Sequence, residues 1–404
     1  TLGIVRLGRT AERTAFARRL WRLARGPAPG CVLVLAPDEV RLRHTRGLLE
    51  ALPVTALLAV ERDAALADAD SRVWRASSGE MLSMRRAVTR LRSGGNLPAE
   101  RPPARRELPA DVVLDPLRRD RPAWLLPALL RPAEKRALDL VADWPWIGEG
   151  NLRRLMGVSR SRMRRILAAA ERLRLAERIP VDGVARWALT GRGQALLARR
   201  DRASVGAARR RWNVRHVPSG DRLDWREVPG SRSRQLLRNI EHTDAVHRFI
   251  GATAAQARSL GWEATQLDPP HRASRFFRYG GSLHSVRPDA FGIVRGDGQE
   301  APFFLEWERR APRPATMAAR LAPYLRYYAT RRPADDHGTL PLVLVVFDDP
   351  LGAAHFLRVA RREMSAVGVR VPLWVSDRET LDEAGPLGRA WTAPGLWEGD
   401  YAFS

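Results

Sequence analysis

The sequence predicts an α/β protein of several domains, and three observations lead to that prediction. Apolar residues recur at helical spacing around residues 10–24 and again from Pro132 to about residue 175. Short apolar runs such as Cys31–Ala36 have the length and composition of buried strands. A chain of 404 residues is also long enough for two or three domains, each with its own core.

The charge balance is strongly basic. Lys and Arg number 69 against 45 acidic residues, which gives a formal charge of +24, and Lys135 is the only lysine. Such an excess attracts polyanions, of which nucleic acid is the commonest in cells. The alternative is a basic surface that is merely solvated.

Cysteine content and hydropathy indicate the compartment. Cys31 is the only cysteine, so no internal disulfide can form, as expected in a reducing environment. No run approaches 18 apolar residues, and no signal peptide opens the chain. We therefore expect a cytoplasmic protein without a membrane partner. Because numbering starts at Thr1 within an apparent element, we expect the natural chain to extend further.

Composition shifts divide the chain into five segments. We predict a degenerate α/β region at 1–92, a Pro/Arg-rich linker at 93–123 and a helical DNA-binding domain at 124–204. A basic linker at 205–233 and an α/β domain at 234–404 follow.

The first segment resembles part of the last. Residues 18–76 and 319–393 both run through helix, buried strand, helix and strand to a tryptophan. If this is a repeat, strands 31–36 and 54–60 pair as 342–347 and 371–375 do, and Val5 and Leu7 replace Glu306 and Glu308. Generic α/β patterning is the alternative.

Residues 130–200 have the pattern of a winged helix-turn-helix. A helix opened by Pro132 is followed by a short helix to Met156, the turn Gly157–Ser159 and a third helix from Arg160 to Leu173. Asp182-Gly183 between two apolar runs predicts a two-residue hairpin, the wing.

The third helix of that pattern carries the predicted DNA contacts. Its apolar stripe faces the core, and its other face is basic and polar, as a recognition helix requires. The predicted DNA-binding residues are Ser159, Arg160, Ser161, Arg162, Arg164 and Arg165, with Arg178 and Arg186 in the wing. The alternative is a helical adaptor with a solvated arginine face.

A carboxylate cluster lies further along. Residues 291–294 and 302–307 read as paired strands, with Asp289 at the start of the first and Glu306 and Glu308 on one face of the second. Such oxygens can hold Mg²⁺ or Mn²⁺ for phosphodiester chemistry, so all three are candidate catalytic residues and Asp289 and Glu306 candidate metal ligands. Acidic pairs on strands are also often solvated or paired with arginine.

Pro288-Asp289 followed by Glu306-x-Glu308 resembles the restriction-endonuclease-like fold, except that Glu308 stands at its lysine position. The order of these parts over about residues 130–395 resembles the replication-relaxation family of plasmid and integrative-element proteins. That resemblance implies kinship to mobilisation relaxases, although Arg309-Arg310-Ala311 stands where the family commonly has Arg-Gly-Thr.

The family pattern adds accessory candidates. On a helix at 240–252, either Glu241 is a candidate first-helix metal ligand or His242 is a candidate site residue, and Arg309 follows the acidic pair. The favoured alternative is a glutamate on the helix surface and a histidine packed in the core. Tyr324, Tyr327 and Tyr328 offer a nicking nucleophile, although helical spacing favours an aromatic core.

The resulting hypothesis is recognition and metal-dependent nicking of origin DNA. The partners are then double-stranded DNA and other replication or transfer proteins of the element. A non-catalytic DNA-binding accessory or regulator is the main alternative, and binding to RNA or an acidic partner is the third.

Overall fold

A computed structural model describes residues 2–8, 31–50, 55–92, 125–201, 203–214, 223–309, 314–394 and 403. The predicted linker at 93–123 lies outside these ranges. Within them the chain is mixed α/β, with 16 α-helices and 15 strands. It divides into two compact units, Thr1–Leu129 with Ala195–Ala208, and Leu130–Gln194 with Arg209–Ser404.

The first unit is built on a five-stranded sheet. Its elements are β1 (Leu2–Arg6), β2 (Cys31–Ala36), α1 (Glu39–Leu49), β3 (Thr55–Val60), α2 (Glu61–Leu66), β4 (Trp74–Ala76), β5 (Met81–Leu82), α3 (Met84–Arg92) and α4 (Leu126–Leu129). The strand order is β1-β2-β3-β4-β5, with the first three parallel and the last two antiparallel. Parallel strands are covered on both faces, which explains why β2 and β3 are apolar throughout.

The second unit begins with a helical segment that ends in a hairpin. Its elements are α5 (Pro132–Asp143), β6 (Ile147–Gly148), α6 (Glu149–Met156), α7 (Arg160–Arg172), β7 (Ala176–Val181) and β8 (Val184–Leu189). The next helix, α8 (Gly191–Arg200), belongs to the first unit from Ala195 onward. The three strands form an antiparallel sheet in the order β6-β8-β7. Gly157 ends α6 in the left-handed conformation (φ 64°), and the hairpin turns at Asp182 and Gly183 with φ of 49° and 77°. Positive φ at both central residues is the type I′ turn that Asp-Gly favours, as the sequence predicts.

The stretch predicted as a basic linker, 205–233, is partly helical. It contains α9 (Val205–Trp212), a 3₁₀ turn (Trp225–Glu227) and the start of α10 (Ser231–Arg238), while 215–222 lie outside the described residues. Val214 and Val228 join a core cluster with Trp146 and Ile179 of the preceding segment. The arginine-rich composition led to the prediction of a linker, but a few apolar residues pack this stretch against the core.

The second unit continues with the larger sheet. Its elements are α11 (Ile240–Ser259), β9 (Glu263–Asp268), α12 (Pro270–Ala273), β10 (Arg275–Tyr279), β11 (Ser282–Val286), β12 (Ala290–Gly296), β13 (Gln299–Glu308), α13 (Pro314–Tyr328), α14 (Arg332–His337), β14 (Leu342–Phe347), α15 (Pro350–Val367), β15 (Leu373–Asp377) and α16 (Arg378–Ala384). The sheet order is β15-β14-β13-β12-β9, parallel from β13 to β15 and antiparallel from β13 to β9. In sequence, β10 and β11 come between β9 and β12, and they form a separate antiparallel hairpin outside the larger sheet.

The strand pairings that the repeat prediction requires are present. β2 pairs in parallel with β3, as β14 does with β15. Val5 lies opposite Val34 in the first sheet, and Glu306 lies opposite Val345 in the second. If the two regions are a repeat, apolar Val5 stands where the second unit has the carboxylate of Glu306.

Polar contacts join the helical segment to the larger sheet within the second unit. Arg186 of β8 donates both terminal nitrogens to the Asp244 carboxylate of α11. Arg272 donates to Asp143 at 2.9 Å across the same boundary.

None of the helices in the described part of the chain combines the length and apolar composition needed to cross a membrane.

Candidate functional site

The exposed face of α7 consists of arginine and serine in its first two turns. Arg160, Arg162, Arg164 and Arg165 are exposed, whereas Met163, Ile166, Leu167 and Ala170 are buried on the opposite face. Ser159 caps the helix by accepting the Arg162 backbone N–H at 3.3 Å. Burial of the apolar stripe fixes the helix, so its first two turns present cationic side chains and a positive helix terminus to solvent.

The two predicted wing contacts differ in the structure. Arg178 is exposed and stays a candidate. Arg186 is only 4% exposed and forms the ion pair with Asp244, so its prediction as a DNA contact is wrong. Strand alternation turns neighbouring side chains to opposite faces, and Arg186 falls on the face that meets α11.

Asp289 is held at the start of β12 by three contacts. Its backbone N–H donates to Leu305 O at 2.8 Å, and its Oδ2 accepts the Trp307 backbone N–H at 2.9 Å. Its Oδ1 lies 3.0 Å from His242 Nε2 on α11. The carboxylate therefore has a fixed orientation between the sheet and that helix.

His242 has an unusual environment. Burial lowers its pKa, but the hydrogen bond with Asp289 and the charge of that carboxylate outweigh burial and raise the pKa above its ordinary value. His242 therefore belongs with Asp289 rather than with the apolar core. The neighbouring Glu241 is exposed and pairs with Arg309, which also lies 3.6 Å from Asp348.

Glu306 is partly buried beside Asp289 and is hydrogen-bonded to a tyrosine. The Tyr324 hydroxyl donates to Glu306 Oε1 at 2.5 Å. Burial, followed by repulsion from Asp289, raises the pKa of Glu306 to about 8. Glu306 therefore holds a proton at neutral pH unless a cation approaches.

Glu308 is buried and ion-paired with Arg320 of α13. The two glutamates share one face of β13, and they line a small cavity of about 20 Å³ with Arg320 and Tyr324. Pairing with an arginine is the alternative that the sequence left open for these acids, and the structure shows it for Glu308.

The tyrosines of α13 are hydrogen-bond donors, of which Tyr324 and Tyr327 are buried and Tyr328 is half-buried. Tyr324 donates to Glu306, Tyr327 to Asp336 at 3.1 Å and Tyr328 to the Pro341 carbonyl. Burial raises the pKa of all three. None has the lowered pKa or exposure of an activated nucleophile, which fits the core interpretation.

The carboxylates do not form a ready metal cage. Within the described ranges, no three histidine, cysteine, aspartate or glutamate side chains are grouped so that they could hold a metal ion. Glu308 is paired with Arg320, which leaves Asp289 and Glu306 as the candidate ligands for a divalent ion.

A groove of about 610 Å³ opens beside Asp289 and His242. Its lining residues come from α5, α9, α10, α11, β10 and the segment before β12, and they include Trp144, Trp212, Arg232, His271, Phe276 and Arg287. Sequence reasoning missed this groove because its residues are scattered over almost 150 positions, from Asp143 to Asp289.

The comparison with known families agrees with this arrangement. The pattern of the replication-relaxation family matches residues 138–343, more than half of the chain. The chain belongs to the replication-relaxation family. The match runs from α5 to the start of β14 and so includes the arginine face, the groove, Asp289 and both glutamates. No curated protein and no solved structure matched the chain.

Proposed function

We propose that this replication-relaxation protein acts in replication or mobilisation of a mobile element by binding duplex DNA through a winged helix-turn-helix. The family supports the replication theme. In this proposal α5, α6 and α7 are the helix-turn-helix, and the β7–β8 hairpin is the wing. The observation that carries it is the exposed arginine face of α7, anchored by a buried apolar stripe and capped by Ser159.

The physical argument is electrostatic and geometric. An α-helix fits the major groove, where arginine can bind guanine through two hydrogen bonds or pair with phosphate. The first two turns of α7 carry four exposed arginines, and among the described residues only Arg164 has a nearby carboxylate, Glu149 at 3.9 Å. These cations are therefore open to an anionic partner.

The test replaces Arg162 and Arg165 together by Ala. The double variant should bind duplex DNA much more weakly, and the dependence of log Kd on log salt should fall by about 0.9 for each lost phosphate contact. The matched control is Arg358→Ala with Arg361→Ala, an exposed pair at the same spacing on α15. Equal affinity and equal salt slopes for the two double variants would refute α7 as the DNA-facing helix.

A metal-dependent nicking activity is the second part of the proposal. Asp289 directly precedes β12 and Glu306 lies on the adjacent antiparallel strand β13, which supports the resemblance to the restriction-endonuclease-like fold. These two residues would hold Mg²⁺ or Mn²⁺, which when bound supplies a Lewis acid that lowers the pKa of water. His242 would keep Asp289 oriented, and Arg309 would be available to phosphate after release from Glu241.

The non-catalytic alternative also has an observation in its favour. Glu308 is paired with Arg320, and Tyr324 and Tyr327 of α13 are buried. Incubation of the protein with supercoiled plasmid and Mn²⁺ separates nicking from mere DNA binding. If the protein nicks DNA, Glu306→Gln should lose the nicking activity and keep its affinity for duplex. If the wild-type protein does not nick the plasmid and Mn²⁺ does not raise its Tm, the non-catalytic DNA-binding role is the one supported.

A further inference from the structure

The β10–β11 hairpin has one face packed on the domain and one face in solvent. Phe277 and His284 lie on the packed face, where the Phe277 ring contacts Tyr327 with centroids 5.2 Å apart. The outer face carries Phe276 and Leu283, which are 53% and 71% exposed. Because the packed face already anchors the hairpin, the outer apolar side chains are not needed for its stability.

The outer face is also cationic and continues into the groove. Arg278 lies opposite Leu283 on this face, and Arg287 donates to Ser285 at 3.2 Å just beyond it. Phe276 and Arg287 line the groove together with Asp289. Exposed aromatic and basic side chains thus lead to the candidate carboxylate site.

Another part of the groove wall adds aromatic ring faces. Trp212 and His271 contact each other with ring centroids 5.4 Å apart.

These features match the requirements of unpaired nucleic acid. Single strands bind in positively charged grooves with aromatic faces on which bases stack, whereas duplex hides those base faces. The groove volume lies in the range of about 300–1,000 Å³ typical of sites for small ligands, which suits one or two bases.

We propose that the groove and the outer hairpin face bind an unpaired stretch of DNA strand beside Asp289. Bases stack on Phe276 and Trp212, and phosphates pair with Arg278 and Arg287. This inference deepens the proposed DNA-binding function and rests on it. It separates two tasks, with duplex held by α7 and a melted strand held by the groove.

The experiment measures fluorescence anisotropy of a labelled 12-nucleotide single DNA strand and of a 30-base-pair duplex, without added metal. Phe276→Ala should raise Kd for the single strand roughly 5- to 100-fold and leave duplex affinity unchanged. Phe276→Tyr should restore binding, because it keeps a stacking ring. Arg287→Ala should lower the salt slope of single-strand binding by about 0.7.

The matched control is Tyr279→Ala. Tyr279 is in the same strand and 39% exposed, but it alternates onto the face that contacts His284. Its loss should leave single-strand affinity at the wild-type value. Equal Tm values in circular dichroism would show that the Phe276 and Tyr279 variants are both folded.

Four outcomes decide the inference. A single-strand affinity that is the same in Phe276→Ala and Tyr279→Ala overturns it, as does a wild-type protein that binds no single strand. Tighter binding of RNA than of DNA by tenfold or more overturns the assignment to DNA. The protein could also bind the single strand through Phe276, without any contribution from Arg162 and Arg165, and show no affinity for duplex. That result supports the groove as a single-strand site and refutes only the proposed duplex recognition.

Discussion

Replacing Glu306 by Gln should stabilise the protein at neutral and alkaline pH. The Glu306 carboxyl is largely protonated in the folded protein because burial and Asp289 raise its pKa to about 8. Gln has the shape of a protonated carboxyl, and its carbonyl can still accept the Tyr324 hydroxyl, which donates to Glu306 at 2.5 Å. The substitution therefore removes an unfavourable ionisation and keeps the hydrogen bond.

The magnitude follows from proton linkage. The unfolded chain loses this proton near pH 4.5 and the folded protein near pH 8, so the stability that Glu306 contributes is greatest below pH 4.5 and is lost as pH rises to about 8. Each pKa unit is worth about 1.4 kcal/mol, so the contribution already lost at pH 7 is at most about 3 kcal/mol. Because Glu306 is partly exposed, we expect roughly 1–2 kcal/mol of stabilisation in Glu306→Gln at pH 7.

The assay is Tm by calorimetry at pH 5 and pH 8, in the absence of divalent ions. The Tm advantage of Glu306→Gln over wild type should be larger at pH 8 than at pH 5. Glu300→Gln is the matched control, since Glu300 lies on the same strand in an exposed pair with Arg295 and should shift Tm little at either pH. Destabilisation by Glu306→Gln at pH 8 would show that Glu306 is ionised in a permanent ion pair and would refute the reasoning.

Two further predictions concern groups that contact the site. Asp289→Asn should lower the pKa of His242 below its ordinary value, because burial remains and the attracting charge is gone. An NMR titration of the histidines measures this pKa, with Asp297→Asn in an exposed turn as the control variant. An unchanged pKa of His242 in Asp289→Asn would contradict the contact between the two residues. Asp244→Asn should lower the free energy of unfolding by about 2 kcal/mol, because it leaves Arg186 buried without its counter-charge. The loss is smaller than for a fully buried pair because Asp244 is partly exposed. Urea unfolding measures it, and a loss below about 0.5 kcal/mol would place the pair among solvated surface bridges.

The sequence alone sufficed for features that depend on near neighbours. Helical spacing located the stripe of α7, and Asp-Gly pairs located the turns at Asp182 and Asp297, both of which have φ near 49°. These features were predictable because capping, turn geometry and amphipathic periodicity act over four or fewer residues. The buried strands β2, β3 and β14 were predictable for a similar reason, since their apolar runs are continuous.

Tertiary structure decided which charges meet. His242 and Asp289 are 47 residues apart, and Arg186 and Asp244 are 58 apart, yet each pair is in contact. A chain with 69 basic residues offers many partners for each acid, so the sequence could not select Arg320 for Glu308. Only the packing of α11 and α13 against the sheet makes the choice, because burial makes an unpaired charge costly and so selects the arrangement that neutralises it.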